Sequence, residues 1–215
     1  MKKTRITLFI GVCLLALFVL WTVLVSVIDV RSVGPLETSV GFATLNEKAC
    51  ALFGVNMTLY TLTDWLGLVP IATVLGFAVL GLKQLIKRKS LFRVDRSLLV
   101  LGAFLLTVFA VYILFEYLVI NYRPTLINGR LEASYPSSTT MLVMCVMPAA
   151  ALELNSRIQN KIVKRYVLNA ISFFTVFMVI GRLLSGVHWL TDIIGAALVS
   201  AGLVITYASV KDILK

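Results

Sequence analysis

The chain has 215 residues, 60% of them hydrophobic and 14% charged, with a mean hydropathy of +0.97. A soluble domain of that length could not cover so much apolar surface, so the composition points to a membrane protein. The net charge is +10, but the basic residues sit in short loops between apolar runs and nothing resembles a reading module, which sets nucleic acid aside as a partner.

About 20 mostly apolar residues are needed to cross a bilayer. The first such run, from about Ile6 to Ile28, follows the basic start Lys2, Lys3 and Arg5. It is too long for the apolar part of a signal peptide and no small-residue cleavage site follows, so it reads as a span. Asp29 to Trp65 reads as a long loop in which the semi-apolar stretch Val40 to Tyr60 forms an interfacial or re-entrant helix. The remaining spans are expected at about Leu66 to Leu82, Leu98 to Ile120, Thr140 to Leu152, Tyr166 to Leu184 and Leu190 to Val210. The fourth is short unless the residues before it extend it. The expected fold is therefore all-α: a polytopic membrane helical bundle of about six transmembrane helices, one domain over residues 1–215.

Lys83, Lys87, Arg88, Lys89, Arg93 and Arg96 follow the second span, and Arg157, Lys161, Lys164 and Arg165 follow the fourth. With Lys211, Lys215 and the basic start they fall on one side, which the positive-inside rule makes cytoplasmic, both termini included. Three segments then lie outside: 29–65, 121–139 and 185–191. Cys13 and Cys145 sit inside apolar runs as packing residues, and Cys50 stands alone in a loop. These three show no disulfide framework or zinc spacing, and one histidine, His188, cannot build a histidine-rich metal site. No metal and no cofactor are expected.

Ionisable residues at membrane depth are costly and therefore informative. Arg182 lies near the outer end of the fifth span, His188 follows six residues later and Asp192 four after that. On a helix, His188 and Asp192 would share a face, so Asp192 could hold one ring nitrogen and leave the other free as nucleophile or base. Taken alone, Arg182 could equally reach lipid headgroups and His188 be an interfacial residue. Arg123 follows the third span directly, and Pro124 stops the helix there. Tyr135-Pro136-Ser137-Ser138-Thr139-Thr140 is a helix start; its hydroxyls suit capping as well as anion binding. All three clusters map to the outer face. Together they can hold a tetrahedral anion beside a nucleophile.

Arg182-Leu-Leu-Ser-Gly-Val-His188-Trp-Leu-Thr-Asp192 resembles the third signature of the membrane type 2 phosphatidic acid phosphatase family. Arg123-Pro124 resembles the end of its first signature and Pro136-Ser137 the start of its second, in the family's order, over a catalytic core of about 116–210. The resemblance implies a metal-independent lipid phosphatase or phosphotransferase at the outer leaflet, acting on a lipid phosphate or polyprenyl diphosphate. It implies that His188 forms a phosphohistidine, that Asp192 orients it, and that Arg123, Arg182, Ser137 and Ser138 hold the phosphate. The chain departs from the family at Glu116, where a lysine stands, at Ser138 and Thr139, where Gly and His stand, and at Gly181, where a serine is usual. The family's second-signature histidine is its general acid, and Thr139 cannot replace it. Glu116 is expected as an arginine partner or an accessory acid. The rival expectation is a family member that binds or transports a lipid phosphate without cleaving it. An unrelated transporter would need buried polar groups at mid-span, and Asn169 and Ser172 are the main candidates.

Overall fold

The computed structural model describes residues 2–214; Lys215 and the side chains of Lys2 and Lys3, counted above among the inner charges, lie outside the described residues. Inside a bilayer only helices or closed barrels satisfy their own backbone groups, and the apolar runs fold accordingly. Among the described residues, six helical stretches are long and apolar enough to cross. They are α1 (Lys2–Val27), α3 (Met57–Leu66) continuing into α4 (Leu68–Arg88), α5 (Arg96–Tyr117), α6 (Ser138–Arg157), α7 (Lys161–Leu184) and α8 (Leu190–Ile213). A short helix, α2 (Ala43–Phe53), and an antiparallel pair of two-residue strands, β1 (Arg31–Ser32) and β2 (Ser39–Val40), fill the first long connection.

The number of spans agrees with the hydropathy, and some boundaries do not. The second span begins at Met57 because Gly67 stays right-handed helical (φ −59°, ψ −17°) and joins α3 to α4. Its outer turns carry Thr58, Tyr60, Thr61, Thr63 and Asp64, so hydropathy alone starts it too late. Asn56 caps it, accepting the Leu59 N–H at 2.9 Å. The stretch expected as one interfacial helix is therefore divided: α2 ends at Gly54 and Tyr60 already belongs to α3. The third span stops at Tyr117, before Leu118. The fourth reaches from Ser138 to Arg157 and so has full length.

Lipid chains are as apolar as leucine, so close packing and polar contacts hold these helices together. Half of the central window of α6 and of α8 is buried, against 11–28% for the other spans; these two form the middle of the bundle. α1 packs on α8 through small residues: a Cβ on Gly11 would lie 2.5 Å from Thr206 Oγ1. At the end that holds the termini, buried Glu153 of α6 accepts from Tyr207 Oη at 2.9 Å and Lys211 Nζ at 2.6 Å. Arg157 extends this network to Ser97 and Asp95 of the α4–α5 side. Cys145 is buried in the core as expected, whereas Cys13 is exposed on α1 rather than buried in the bundle. Asn169 and Ser172 are exposed on α7, so they line no polar path through the bundle.

Candidate active site

The end of the bundle opposite the termini is closed by three segments: α2 with the start of α3, a strap over residues 118–137, and the α7–α8 turn. The strap is a narrow loop, bridged at Tyr122–Ala133 and Ile127–Arg130. Its tip is Asn128-Gly129, both at positive φ (51° and 74°), the residue pair that such a tight turn favours. Ser134 N donates to Asn121 O at 2.9 Å, Trp189 Nε1 to Tyr122 O at 2.6 Å, and Ser137 N to Asp192 O at 3.2 Å. Tyr135 anchors the strap in the core. Its ring packs on Phe18 and Phe115, its hydroxyl lies 2.7 Å from Thr22 Oγ1, and Gly195 leaves room for it.

The α7–α8 turn is fixed from the other side. Asn56 N donates to Ser185 O at 2.9 Å, and Gly186 (φ +65°) lies so close to the α2–α3 link that a Cβ would sit 1.8 Å from Gly54 O. Gly129 has a similar φ but nothing within 4 Å of its Cβ position. An L-residue in this conformation costs about 1–2 kcal/mol. Gly129→Ala should show that cost alone. Gly186→Ala should lower Tm further and reduce turnover, because the turn bearing His188 must move. Equal Tm losses for the two variants in detergent would remove the backbone contact from this account.

His188 is 3% exposed. Its Nε2 lies 3.4 Å from Arg123 Nη1 and its Nδ1 3.2 Å from Ser134 O. A guanidinium can only donate, so Nε2 must be an acceptor. The proton then sits on Nδ1 and is donated to the Ser134 carbonyl, a tautomer assigned from the network. Burial, followed by the charges of Arg123 and Arg182, lowers the pKa of His188 well below the ordinary histidine value; the Ser134 carbonyl only partly opposes this. The ring is therefore neutral near pH 7, with an unprotonated Nε2 facing the arginines.

Asp192 is close to His188 but holds it differently from the expected helical pair. His188 precedes α8, and Asp192 Oδ2 lies 3.6 Å from Nδ1, beyond hydrogen-bond reach. The carboxylate instead accepts the Trp189 N–H at 2.9 Å, tying down the start of α8, and Asn121 Nδ2 approaches its other oxygen at 3.5 Å. Its charge remains near the ring without orienting it directly.

Arg182 is 1% exposed, so it does not reach for headgroups, and Arg123 is 7% exposed. Tyr60 of α3 lies between them, its ring centroid 4.9 Å from Arg182 Cζ and 5.9 Å from Arg123 Cζ. Each such contact is worth roughly 0.5–2 kcal/mol. Arg182 also reaches Thr63 Oγ1 at 3.4 Å and Asp64 Oδ1 at 3.7 Å. Gly181 admits α3 this close, since a Cβ there would meet Thr63 Cγ2 at 2.7 Å. Arg123 Nε is 3.1 Å from Glu132 Oε2, yet not aligned with it as a hydrogen bond, and both Arg123 Nε and Arg182 Nε are buried without an aligned acceptor. Two adjacent guanidiniums with unused donors fit a multiply charged oxyanion.

Ser137 stands at the N-cap of α6, but its hydroxyl accepts no backbone N–H and instead donates to Thr140 Oγ1 at 2.9 Å. Ser138 and Thr139 form the first turn and, with Asp64 and Gly67, line the mouth of a groove of about 610 Å³. Apolar side chains of α4, α5 and α6, among them Ile71, Val108 and Val146, form its walls. Glu116 pairs with neither arginine; it faces Tyr112 and a separate narrow cleft beside Ser134 and Ser138. Tyr60, Thr63, Asp64, Asn121 and Ser134 were not among the expected site residues. A usable signal exists for α3: Asn56, Tyr60, Thr63, Asp64 and Gly67 recur at helical spacing on one face.

Residues 118–213 match the family model described as the PAP2 superfamily. The chain is also similar in fold to a solved structure described as the first transmembrane PAP2 type phosphatidylglycerolphosphate phosphatase from Bacillus subtilis. That match has a TM-score of 0.64 at 19% identity and covers 95% of this chain and 97% of the other. A comparison with curated protein sequences gives no match.

Proposed function

We propose that the chain, whose residues 118–213 match the family model of the PAP2 superfamily, is a membrane lipid phosphatase or phosphotransferase working through a phosphohistidine at His188. The observation that carries this reading is the fixed tautomer: a neutral, buried imidazole with its unprotonated Nε2 turned toward two buried arginines. Binding alone would not require that arrangement.

In the proposed reaction a lipid phosphate enters with its oxygens on Arg123 and Arg182, and Arg123 turns from Nε2 to the phosphate. Ser137, Ser138 and the free N–H groups of the first turn of α6 complete the cradle. Nε2 forms a bond to phosphorus as the bond to the lipid oxygen breaks in line. The ring becomes cationic, with Nδ1–H still on the Ser134 carbonyl and the Asp192 charge 3.6 Å away. Water then takes the phosphoryl group. The lipid tail occupies the apolar groove, whose polar mouth lies at Ser138 and Thr139. The arginines supply the positive charge, and among the described residues no group of three or more His, Cys, Asp or Glu side chains converges as a metal site.

The solved structure above is named for a phosphatidylglycerolphosphate phosphatase, which makes phosphatidylglycerol phosphate one member of the substrate panel. Purified protein should release phosphate from at least one of a set of lipid monophosphates and diphosphates in the presence of EDTA. No release from any of them, with binding retained, would favour the binding-protein reading that Thr139 leaves open. Activity lost to EDTA and restored by magnesium would remove the arginine cradle as the sole source of charge.

The basic loops support a site at the outer leaflet through the positive-inside rule. In a background without the native cysteines, Arg130→Cys should be labelled by an impermeant maleimide added to intact cells, and Lys87→Cys should not. The opposite pattern would reverse the orientation.

A further inference from the structure

The mechanism so far leaves one proton unassigned. Hydrolysis of a phosphohistidine requires water to lose a proton as it attacks, and a positioned base accelerates such a step about 10²–10⁴-fold. His188 cannot serve, because its Nε2 is bonded to phosphorus. Ser137, Ser138, Thr139 and Thr140 carry hydroxyls that do not titrate near neutral pH. Asp192 is fully buried and engaged by the Trp189 N–H. Three carboxylates border the site. Glu132 sits beside Arg123 on the strap, the side from which His188 attacks. Glu116 opens onto a different cleft.

The third is Asp64. It projects from α3 to within 3.7 Å of Arg182 Nη1, and it lines the groove mouth with Ser138 and Thr139. Its side chain is 57% exposed at the groove mouth, so a water molecule admitted there can reach it. In-line transfer puts the attacking water where the leaving group has departed, opposite the nitrogen. With the lipid seated in the groove as proposed above, that water arrives at the mouth lined by Asp64, Ser138 and Thr139. Asp64 also lies outside residues 118–213, on the helix that supplies Tyr60 and Thr63 to the two arginines.

Resting on the phosphohistidine reading above, we propose that Asp64 is the general base of the dephosphorylation step. The water oxygen bonds to phosphorus, the phosphorus–Nε2 bond breaks and its electron pair returns to Nε2. One water proton moves to the Asp64 carboxylate and from there to solvent. His188 is left neutral, with Nδ1 protonated as before, and inorganic phosphate departs from Arg123 and Arg182.

The test uses full-length protein in detergent and a radiolabelled lipid phosphate that the wild type turns over. Asp64→Asn should release one equivalent of dephosphorylated lipid in a burst. It should then slow by about 10²-fold or more, with acid-labile label retained on His188. Added formate should restore steady turnover, and Asp64→Glu should retain more activity than Asp64→Asn. Wild-type turnover by Asp64→Asn would overturn the assignment. So would loss of the burst itself in a variant that keeps the wild-type Tm, because Asp64 would then act by holding Arg182. A wild type that turns over without labelling His188 would overturn the phosphohistidine reading, and this proposal with it.

Discussion

His188→Ala should reduce turnover by about 10⁴–10⁶-fold, the range for removing the nucleophile of a covalent mechanism. No label should then be trapped on the protein from a labelled substrate. The side chain is 3% exposed and contacts only Arg123 and Ser134 through its nitrogens, so the variant should remain folded and inserted, which a thermal melt in detergent would check. Asp192→Asn should cost less than the ~10⁴-fold known for the carboxylate of a Ser–His–Asp triad. There the loss comes from the wrong tautomer. Here the Ser134 carbonyl sets the tautomer, while Asp192 supplies charge and holds the Trp189 N–H. Substantial activity in His188→Ala would move the chemistry to another residue. An Asp192→Asn defect equal to that of His188→Ala would restore the direct pairing that the 3.6 Å separation argues against.

The spacing of Arg182, His188 and Asp192 is legible in the sequence because polar residues beside an apolar run stand out against it. Arg123-Pro124 is legible for the same reason, at the end of another run. How these groups meet is not legible. The Nδ1 partner is a backbone carbonyl 54 residues away, and carbonyls have no letter in a sequence. Helical periodicity fails for His188 because Trp189, not an earlier residue, is the N-cap of α8. The third wall of the cradle was hidden for a different reason. Tyr60, Thr63 and Asp64 lower the hydropathy of their segment, so the criterion that finds spans assigns them to a loop. Yet the same polarity allows that helix end to face two arginines. Asn46 shows a further limit. It is fully buried, donates to Gly41 O at 2.8 Å and accepts the Thr191 N–H at 3.2 Å. It thus caps α8 from the first turn of α2, 145 residues away, a contact that only the tertiary fold reveals.

Thr139 leads to the second large effect, a choice of substrate. Cleaving a lipid monophosphate expels an alkoxide, whose conjugate acid has a pKa near the roughly 15.7 of bulk water. Protonation by a positioned acid commonly speeds such a departure about 10²–10⁴-fold. Cleaving a lipid diphosphate expels a phosphate ester, whose second pKa is about 6, and that group leaves near neutral pH without a proton. At the groove mouth, where the leaving group would sit, the chain offers Ser138, Thr139 and the carboxylate of Asp64 beside Arg182. The hydroxyls are weak acids, and Asp64 is the proton acceptor proposed for the second step. The wild type should therefore prefer a polyprenyl diphosphate over the monophosphate of the same chain, by about 10²-fold or more in kcat/KM. Thr139→His has the groove to accommodate the larger ring, and it should raise monophosphate turnover much more than diphosphate turnover. Measuring both substrates with one lipid tail, for wild type and Thr139→His, decides the matter. A wild-type preference for the monophosphate would show that water or Glu116 delivers the proton, and it would overturn this specificity argument while leaving the assignment of His188 in place.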